Sequence, residues 1–144
     1  MRSIAQFARS GWRLSRPERI LVRRAAGWLL LARVALRVCQ YSTLLPILQQ
    51  VRPARRSLAA VEDCRVAIRR ATRLVPGSRC LAQALAAAAI LRREGHAAEL
   101  IVHVHFSATR EFEAHASLTA GGLVITGDGP AATWPPIARH ALGA

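Results

Sequence analysis

The sequence contains three cysteines, and one of them occupies a position that favours a reactive thiolate. Cys80 directly precedes residues 81–91, an almost continuously apolar run that predicts a buried helix. The free amides at the start of a helix lower the pKa of a cysteine there, and Arg79 is adjacent. Cys39 and Cys64 fall within helical patterns without such a setting, so we expect them to be structural. On position alone, Cys80 is either a nucleophile or a small residue in a tight packing site, and both interpretations stay open.

A cysteine nucleophile needs a histidine base, and the base needs a group that orients it. Gly121-Gly122 predicts a two-residue turn between two strands, which pairs residues whose numbers add up to 243. His115 then lies opposite Asp128, with Cβ atoms about 4.5–5.5 Å apart. The hairpin therefore predicts an imidazole oriented by a carboxylate. The alternative is an ordinary exposed cross-strand pair.

Two further histidines raise the question of a metal site. His103 and His105 share one face of a predicted strand, and Cys80 or His115 is available to complete a ligand set. The signal is weak, because strand alternation alone places two histidines on one side. The sequence also lacks a P-loop and a GxGxxG motif. No metal and no other cofactor is expected.

The first elements that must position these residues are helices. Residues 15–18 form a capping box with proline in the first turn, which predicts a helix that runs to about Tyr41. A linker or short helical turn with two prolines follows. A second helix is predicted over residues 57–74. The buried helix has a predicted N-cap at Ser78, and Gly95 ends it in the left-handed conformation.

After the last helix the apolar period changes from 3.6 residues to 2. Alternation over residues 100–106 and 112–119 predicts two strands, and residues 123–126 form a short third strand. The tail contains Pro130, Pro135 and Pro136, and it is predicted to be irregular. Helices followed by an antiparallel meander indicate an α+β fold, with the cysteine-bearing helix packed on a small antiparallel sheet.

The basic residues are all arginines, and they are unevenly distributed. Residues 1–79 hold 17 of the 21 arginines against three acids, a net charge of +14, whereas residues 80–144 hold four against five acids, a net charge of −1. A basic half suggests an anionic partner such as nucleic acid, a membrane surface, an acidic peptide or another protein. Alternatively, these arginines form a solvated helical face that binds no partner. Two helix sides are candidate docking surfaces, one with Arg19, Arg23, Arg33 and Arg37 and the other with Arg65, Arg69, Arg70 and Arg73.

Cysteine usage and the apolar segments indicate a compartment. Three cysteines are an odd number and no CxxC pair occurs, so a disulfide framework is not expected. The first residues do not read as a signal peptide, and arginines interrupt the apolar segment over residues 20–51. We therefore expect a protein of the reducing cytoplasm without a spanning helix. A helix lying on a membrane surface stays an alternative.

Several of these residues together resemble one protein family. The sequence is similar to the transglutaminase-like cysteine peptidases of lasso-peptide biosynthesis, in their stand-alone form. The resemblance covers about residues 57–130. It is carried by Pro76-Gly77, Cys80-Leu81, Gln83-Ala84-Leu85, Leu91-Arg92-Arg93, Gly95, Phe112, Ala114-His115-Ala116 and Gly127-Asp128.

The resemblance implies a transglutaminase- or papain-like core over residues 57–144, preceded by a basic helical extension over residues 1–56. It implies a catalytic triad of Cys80, His115 and Asp128, which removes the leader from a ribosomal precursor peptide through a thioester. It also implies two protein partners, a small leader-recognition protein and an ATP-dependent lasso cyclase. Nucleic acid is not expected as a partner.

One position departs from the family. Members often carry tryptophan two residues after the histidine, whereas Ser117 stands there in this sequence. Packing beside the base is therefore expected to differ. Two other functions stay open: a non-catalytic, arginine-rich adaptor for an acidic partner, and a general transglutaminase-like amidase. Gln83 lies one turn deeper than the nucleophile and is expected to be structural, while the backbone N–H of Cys80 is a candidate oxyanion donor.

Overall fold

Four helices precede a four-stranded sheet in the computed structural model, which describes residues 14–55 and 59–143. The elements, in chain order, are α1 (Arg16–Val38), α2 (Tyr41–Gln49), α3 (Val61–Leu74), α4 (Cys80–Arg93), β1 (Ala98–Phe106), β2 (Phe112–Ala120), β3 (Leu123–Thr126), a 3₁₀ turn (Pro130–Thr133) and β4 (Pro136–Leu142). This architecture confirms the predicted α+β fold. None of the described helices is both long and apolar enough to cross a membrane.

The capping box at the start of α1 is confirmed. The hydroxyl of Ser15 accepts a hydrogen bond from the backbone N–H of Glu18, and the Glu18 carboxylate accepts one from the N–H of Ser15. These bonds, together with the nearby positive charge of Arg70, lower the pKa of the Glu18 carboxyl. The linker or short helical turn that is predicted after α1 contains helix α2, which includes Pro46 and buries Leu45 against the core.

Two predicted helix boundaries need correction. The helix expected from residue 57 begins at Val61, and residues 56–58 lie outside the described part of the chain. The N-cap of α4 is Arg79 rather than Ser78, and no side chain caps this helix. The hydroxyl of Ser78 donates to the carbonyl of Val75 at 2.8 Å instead, which fastens the turn before the helix.

The sheet is antiparallel, with strand order β3-β2-β1-β4. The first three strands confirm the predicted meander. The prediction of an irregular tail is wrong for residues 136–142, which form β4 and pair with β1. A proline is tolerated here because Pro136 is the first residue of an edge strand, where a missing N–H costs no ladder bond. The strand has few β-branched residues, so its sequence carries little strand signal.

Helix α4 lies at the centre of the core. One face of the sheet packs against it through Leu100, Ala116 and Leu118, all of which are buried. On the other side α4 meets α1 and α3, through residues such as Leu29 and Ile68. The helices before residue 57 and those after it thus share one core. The predicted domain boundary between residues 56 and 57 stays a prediction.

A buried arginine fastens the other end of α4. Arg92 is only 6% exposed, and its guanidinium donates to the carbonyls of Gln49, Val51 and Gly143. Backbone carbonyls are strong acceptors, so they offset part of the cost of removing this charge from water. The contact joins the end of α2 and the end of β4 to α4.

The hairpin between β2 and β3 contains an irregularity that the sequence pattern does not reveal. Gly121-Gly122 forms the predicted two-residue turn, with Ala120 opposite Leu123. The register then shifts, because Thr119 pairs with Val124 while Leu118 pairs with Thr126. The predicted pairing of Leu118 with Ile125 is therefore wrong. One extra residue in β3 forms a β-bulge, which changes every pairing beyond it.

Gly127 directly follows β3, and its position does not tolerate a side chain. Gly127 has a φ of +76°, and a Cβ there would lie 2.7 Å from Cα of Ser117 and 2.3 Å from the carbonyl oxygen of Ala116. Both distances are shorter than a real Cβ tolerates. The absence of a side chain therefore allows β2 and the segment after β3 to approach each other.

We predict that Gly127→Ala destabilises the protein by about 1–3 kcal/mol more than Gly122→Ala, because only the first introduces overpacking. Gly122 is a matched control, since its φ is +77° and no atom lies within 4 Å of the added Cβ. Denaturant unfolding of the two variants measures the difference. Equal free energies of unfolding would show that the contact at Gly127 relaxes without cost.

Candidate active site

Cys80 is the first residue of α4, and it borders a cavity of about 270 Å³. The thiol belongs to a residue of intermediate exposure, in contrast to the buried Cys64 and the exposed Cys39. The cavity lies between the start of α4 and the ends of β1 and β2. Its lining is mostly apolar and consists of Tyr41, Cys80, Leu81, Val102, Val104, Phe112, Ala114, His115, Ala116 and Ile137.

The amino-terminal turn of α4 carries backbone N–H groups that no side chain caps. The first amides of a helix lack partners within the helix and carry partial positive charge, which favours an anion beside them. A thiolate at Cys80 or an oxyanion in the cavity therefore lies in a favourable field. Gln83 does not contribute to it, because its Nε2 donates to the carbonyl of Ser78 at 2.9 Å.

The imidazole of His115 is held by a backbone carbonyl. Its Nε2 lies 2.8 Å from the carbonyl oxygen of Gly127. A carbonyl only accepts hydrogen bonds, so Nε2 carries the proton. In the neutral ring, Nδ1 then has the free lone pair that a general base needs.

No hydrogen bond or ion pair joins Asp128 to His115 among the described residues, so the predicted carboxylate–imidazole pair is not formed. The bulge in β3 shifts the register, and Gly127 occupies the place beside the imidazole. The carboxylate of Asp128 instead accepts a hydrogen bond from Arg69 on α3, with Nη2 and Oδ2 2.8 Å apart. Asp128 therefore ties the segment after β3 to α3.

Cys80 and His115 border the same cavity, but in the described residues no hydrogen bond joins the thiol to the imidazole. The regular β1–β2 ladder pairs His115 with His103, whereas Val104 with Ala114 and Val102 with Ala116 lie on the alternate face. That alternate face lines the cavity with Cys80. The His115 ring itself stands beside the rings of His103 and Trp134, with centroids 6.1 and 6.4 Å away. A shift of this ring is required before it serves as a base for Cys80.

Sequence reasoning missed the network around His103. This histidine is 5% exposed, and its Nδ1 donates to the carbonyl of Trp134 at 2.9 Å. In the neutral ring its Nε2 then accepts from the hydroxyl of Ser117, also at 2.9 Å. Ser117 therefore makes a polar contact with His103, while the ring of Trp134 stands beside the ring of His115. The signal available in the sequence was strand alternation, which places His103 and Ser117 on the same face of the sheet.

The histidines considered as metal ligands have other roles in the structure. Both ring nitrogens of His103 are in hydrogen bonds. The ring of His105 stacks on Trp134, with centroids 5.0 Å apart. Within residues 14–55 and 59–143, no group of three histidine, cysteine or acidic side chains is arranged to hold a metal ion.

The arginines of α3 have acidic neighbours within the chain. Besides the bond between Arg69 and Asp128, Arg65 pairs with Glu62 at 3.3 Å, and Arg70 lies 4.0 Å from a Glu18 oxygen. Binding of a partner by Arg65, Arg69, Arg70 and Arg73 stays a prediction.

A comparison with protein families matches residues 26–139 to the transglutaminase-like superfamily. The match covers most of the chain, so the protein belongs to this superfamily, which includes cysteine peptidases and amidases. Comparisons with curated proteins and with solved structures give no match. The matched range contains Cys80, His115 and Asp128. The catalytic roles of these three residues stay predictions.

Cys64 is excluded from thiolate chemistry near neutral pH. It is buried in α3 with 1% exposure, and burial raises the pKa of its thiol to about 12, with smaller contributions from the charges of Glu94 and Asp63. At pH 8 only about one molecule in 10⁴ carries the thiolate, which is the reactive form.

We predict that iodoacetamide at pH 8 alkylates Cys80 and Cys39 in the folded protein and leaves Cys64 unmodified. Peptide mass spectrometry after a timed reaction measures the extent at each cysteine. Alkylation of all three cysteines in urea is the control, because unfolding removes the burial that raises the pKa of Cys64. Labelling of Cys64 at the rate of Cys39 in the folded state would contradict the assignment.

Proposed function

We propose that the protein is a cysteine peptidase that removes the leader from a ribosomally made lasso-peptide precursor. The observation that carries the proposal is the position of Cys80, at the uncapped start of the central helix and beside a cavity shared with His115. Membership of the transglutaminase-like superfamily supports cysteine-based acyl transfer. The resemblance to lasso-peptide leader peptidases supplies the substrate class.

In this mechanism His115 takes the proton of the Cys80 thiol on Nδ1. The thiolate attacks the scissile carbonyl, and the tetrahedral oxyanion lies near the first amides of α4. The imidazolium returns its proton to the leaving amine as the peptide bond breaks, which leaves a thioester. Water then attacks the thioester, and His115 accepts a proton from it. The imidazolium returns this proton to the thiolate of Cys80 as the C–S bond breaks and the acid is released.

The reaction requires a change in the position of His115. Its Nε2–H bond to Gly127 orients the ring, while Nδ1 must approach Cys80 when the peptide is bound. Catalytic contacts are often long in unliganded enzymes and tighten in the complex with substrate. Asp128 acts as a positioning residue in this scheme, because its bond to Arg69 holds the segment that carries the Gly127 carbonyl.

The partners that we propose are the precursor peptide, a small leader-recognition protein and an ATP-dependent lasso cyclase. The chemistry itself needs no metal or cofactor. All three cysteines are free thiols, which supports a reducing compartment, and we propose the cytoplasm.

One observation favours a second candidate, a non-catalytic adaptor that binds an acidic partner. The thiol of Cys80 and the imidazole of His115 are not hydrogen-bonded to each other in the described structure, and an adaptor needs no such bond. A third activity, general amidase or transglutaminase chemistry, shares the thioester and differs in its acceptor. An assay that offers an amine beside water separates this activity from hydrolysis.

We predict that Cys80→Ala lowers leader cleavage by at least about 10³-fold, because the acyl-enzyme then has no nucleophile. The assay is mass spectrometry of a lasso-peptide precursor incubated with the recognition protein. Cys39→Ala is the matched control, since this cysteine is exposed and is not among the residues that line the cavity. Retained activity in the Cys80 variant would leave the adaptor as the better description.

The loss of cleavage activity in Asp128→Asn distinguishes a positioning role of Asp128 from a direct role as the triad carboxylate. We predict a loss of about tenfold or less, because the exposed ion pair with Arg69 is weak and the imidazole is held by Gly127. Arg69→Gln should match this loss, whereas His115→Ala should be as damaging as Cys80→Ala. If Asp128 is instead a direct triad carboxylate, Asp128→Asn alone lowers kcat by about 10⁴-fold. That result would show that Asp128 contacts the imidazole of His115 during catalysis.

A further inference from the structure

A second cleft, of about 370 Å³, lies on the other side of the first turn of α4. Three of the residues that line it are arginines, two from α1 and one at the N-cap of α4. Leucine and alanine side chains and one glycine form the rest of the surface. The lining residues are Arg33, Leu36, Arg37, Gly77, Arg79 and Ala82.

One of the arginines is held in place across the cleft. Nη1 of Arg33 donates to the carbonyl of Pro76 at 2.7 Å, which joins α1 to the turn before α4. The guanidinium passes closely over Gly77, since a Cβ there would lie 3.6 Å from Nη2. A guanidinium has five N–H donors, and this bond uses one of them. A positioned arginine loses less side-chain freedom when it binds an anion.

The charges in the cleft are not balanced by acids. Among the described residues, no carboxylate lies within 4.0 Å of the guanidinium groups of Arg33, Arg37 and Arg79, whereas Arg65 and Arg69 on α3 each have an acidic partner. The uncapped start of α4 adds partial positive charge at the same place. Three like charges around one concavity favour an anion between them.

The first turn of α4 separates this cleft from the cavity of Cys80. Arg79 and Ala82 line the cleft, while Cys80 and Leu81 line the cavity. A peptide advances by about 3.3–3.6 Å per residue when it is extended. A peptide whose scissile bond lies at Cys80 therefore reaches the cleft within a few residues.

We propose that the cleft formed by Arg33, Arg37 and Arg79 binds a carboxylate side chain of the peptide substrate, a few residues from the bond that Cys80 attacks. The planar fork of arginine pairs with a carboxylate through two parallel hydrogen bonds, which gives direction as well as charge. The identity of the ligand as a substrate rests on the proposed function. The expected preference for an anion does not depend on the proposed function, because it follows from the residues that line the cleft.

The test measures binding without catalysis, in the full chain with Cys80→Ala. The probe is a short fluorescent peptide with one leucine and two glutamates, compared by anisotropy with the same peptide carrying glutamines. We expect the glutamate peptide to bind at least about tenfold more tightly. Arg37→Ala should remove this preference. Arg16→Ala is the matched control, because it removes the same charge from an exposed position of α1 outside the cleft.

Equal affinities for the two peptides would overturn the proposal, as would equal losses in the Arg37 and Arg16 variants. Inorganic phosphate at constant ionic strength is the second arm, and tighter binding of phosphate than of the glutamate peptide would assign the cleft to phosphate instead. Thermal melts of both variants verify that they fold. If the protein prefers the glutamate peptide but cleaves no precursor, the cleft proposal holds and the proposed peptidase function fails.

Discussion

The packing of α4 is the constraint on which the rest of the structure depends. Its middle turns are buried on nearly all sides, and alanines occupy positions 86–89. Small side chains let α1, α3 and the sheet approach its backbone closely, and the apolar area removed from water is the main favourable term. With the middle of α4 enclosed in this way, only its two ends reach the surface, and the first turn is one of them. Cys80 is placed there, between an apolar cavity and a basic cleft.

Local signals in the sequence predicted much of this arrangement. The capping box of α1 and the turn at Gly121-Gly122 depend on neighbouring residues, and both were predicted. The extra residue in β3 was not, because a bulge depends on how Gly127 meets the backbone of β2. β4 was missed as well, since an edge strand needs little strand propensity when β1 offers it a ladder.

The candidate site likewise has one part that local sequence predicts and another part that it does not. The place of Cys80 at a helix start follows from its own segment, whereas the surroundings of His115 come from distant parts of the chain. His103 and His115 stand opposite each other on adjacent strands, yet their chemistry differs. The first has both ring nitrogens in hydrogen bonds, and the second has one nitrogen free of them. Spacing in the sequence does not distinguish two such histidines, because the distinction is made by Ser117, Trp134 and Gly127.

The two edges of the sheet bear on self-association. Unpaired strand edges are templates on which further chains add and aggregate, and proteins oppose this with short strands, prolines and charges. β3 has only four residues, and β4 begins at Pro136 and carries the exposed Arg139. Both edges therefore disfavour the addition of a fifth strand from another molecule. Fibrillar growth through this sheet is opposed on either side, even though the strands contain exposed apolar residues such as Val124.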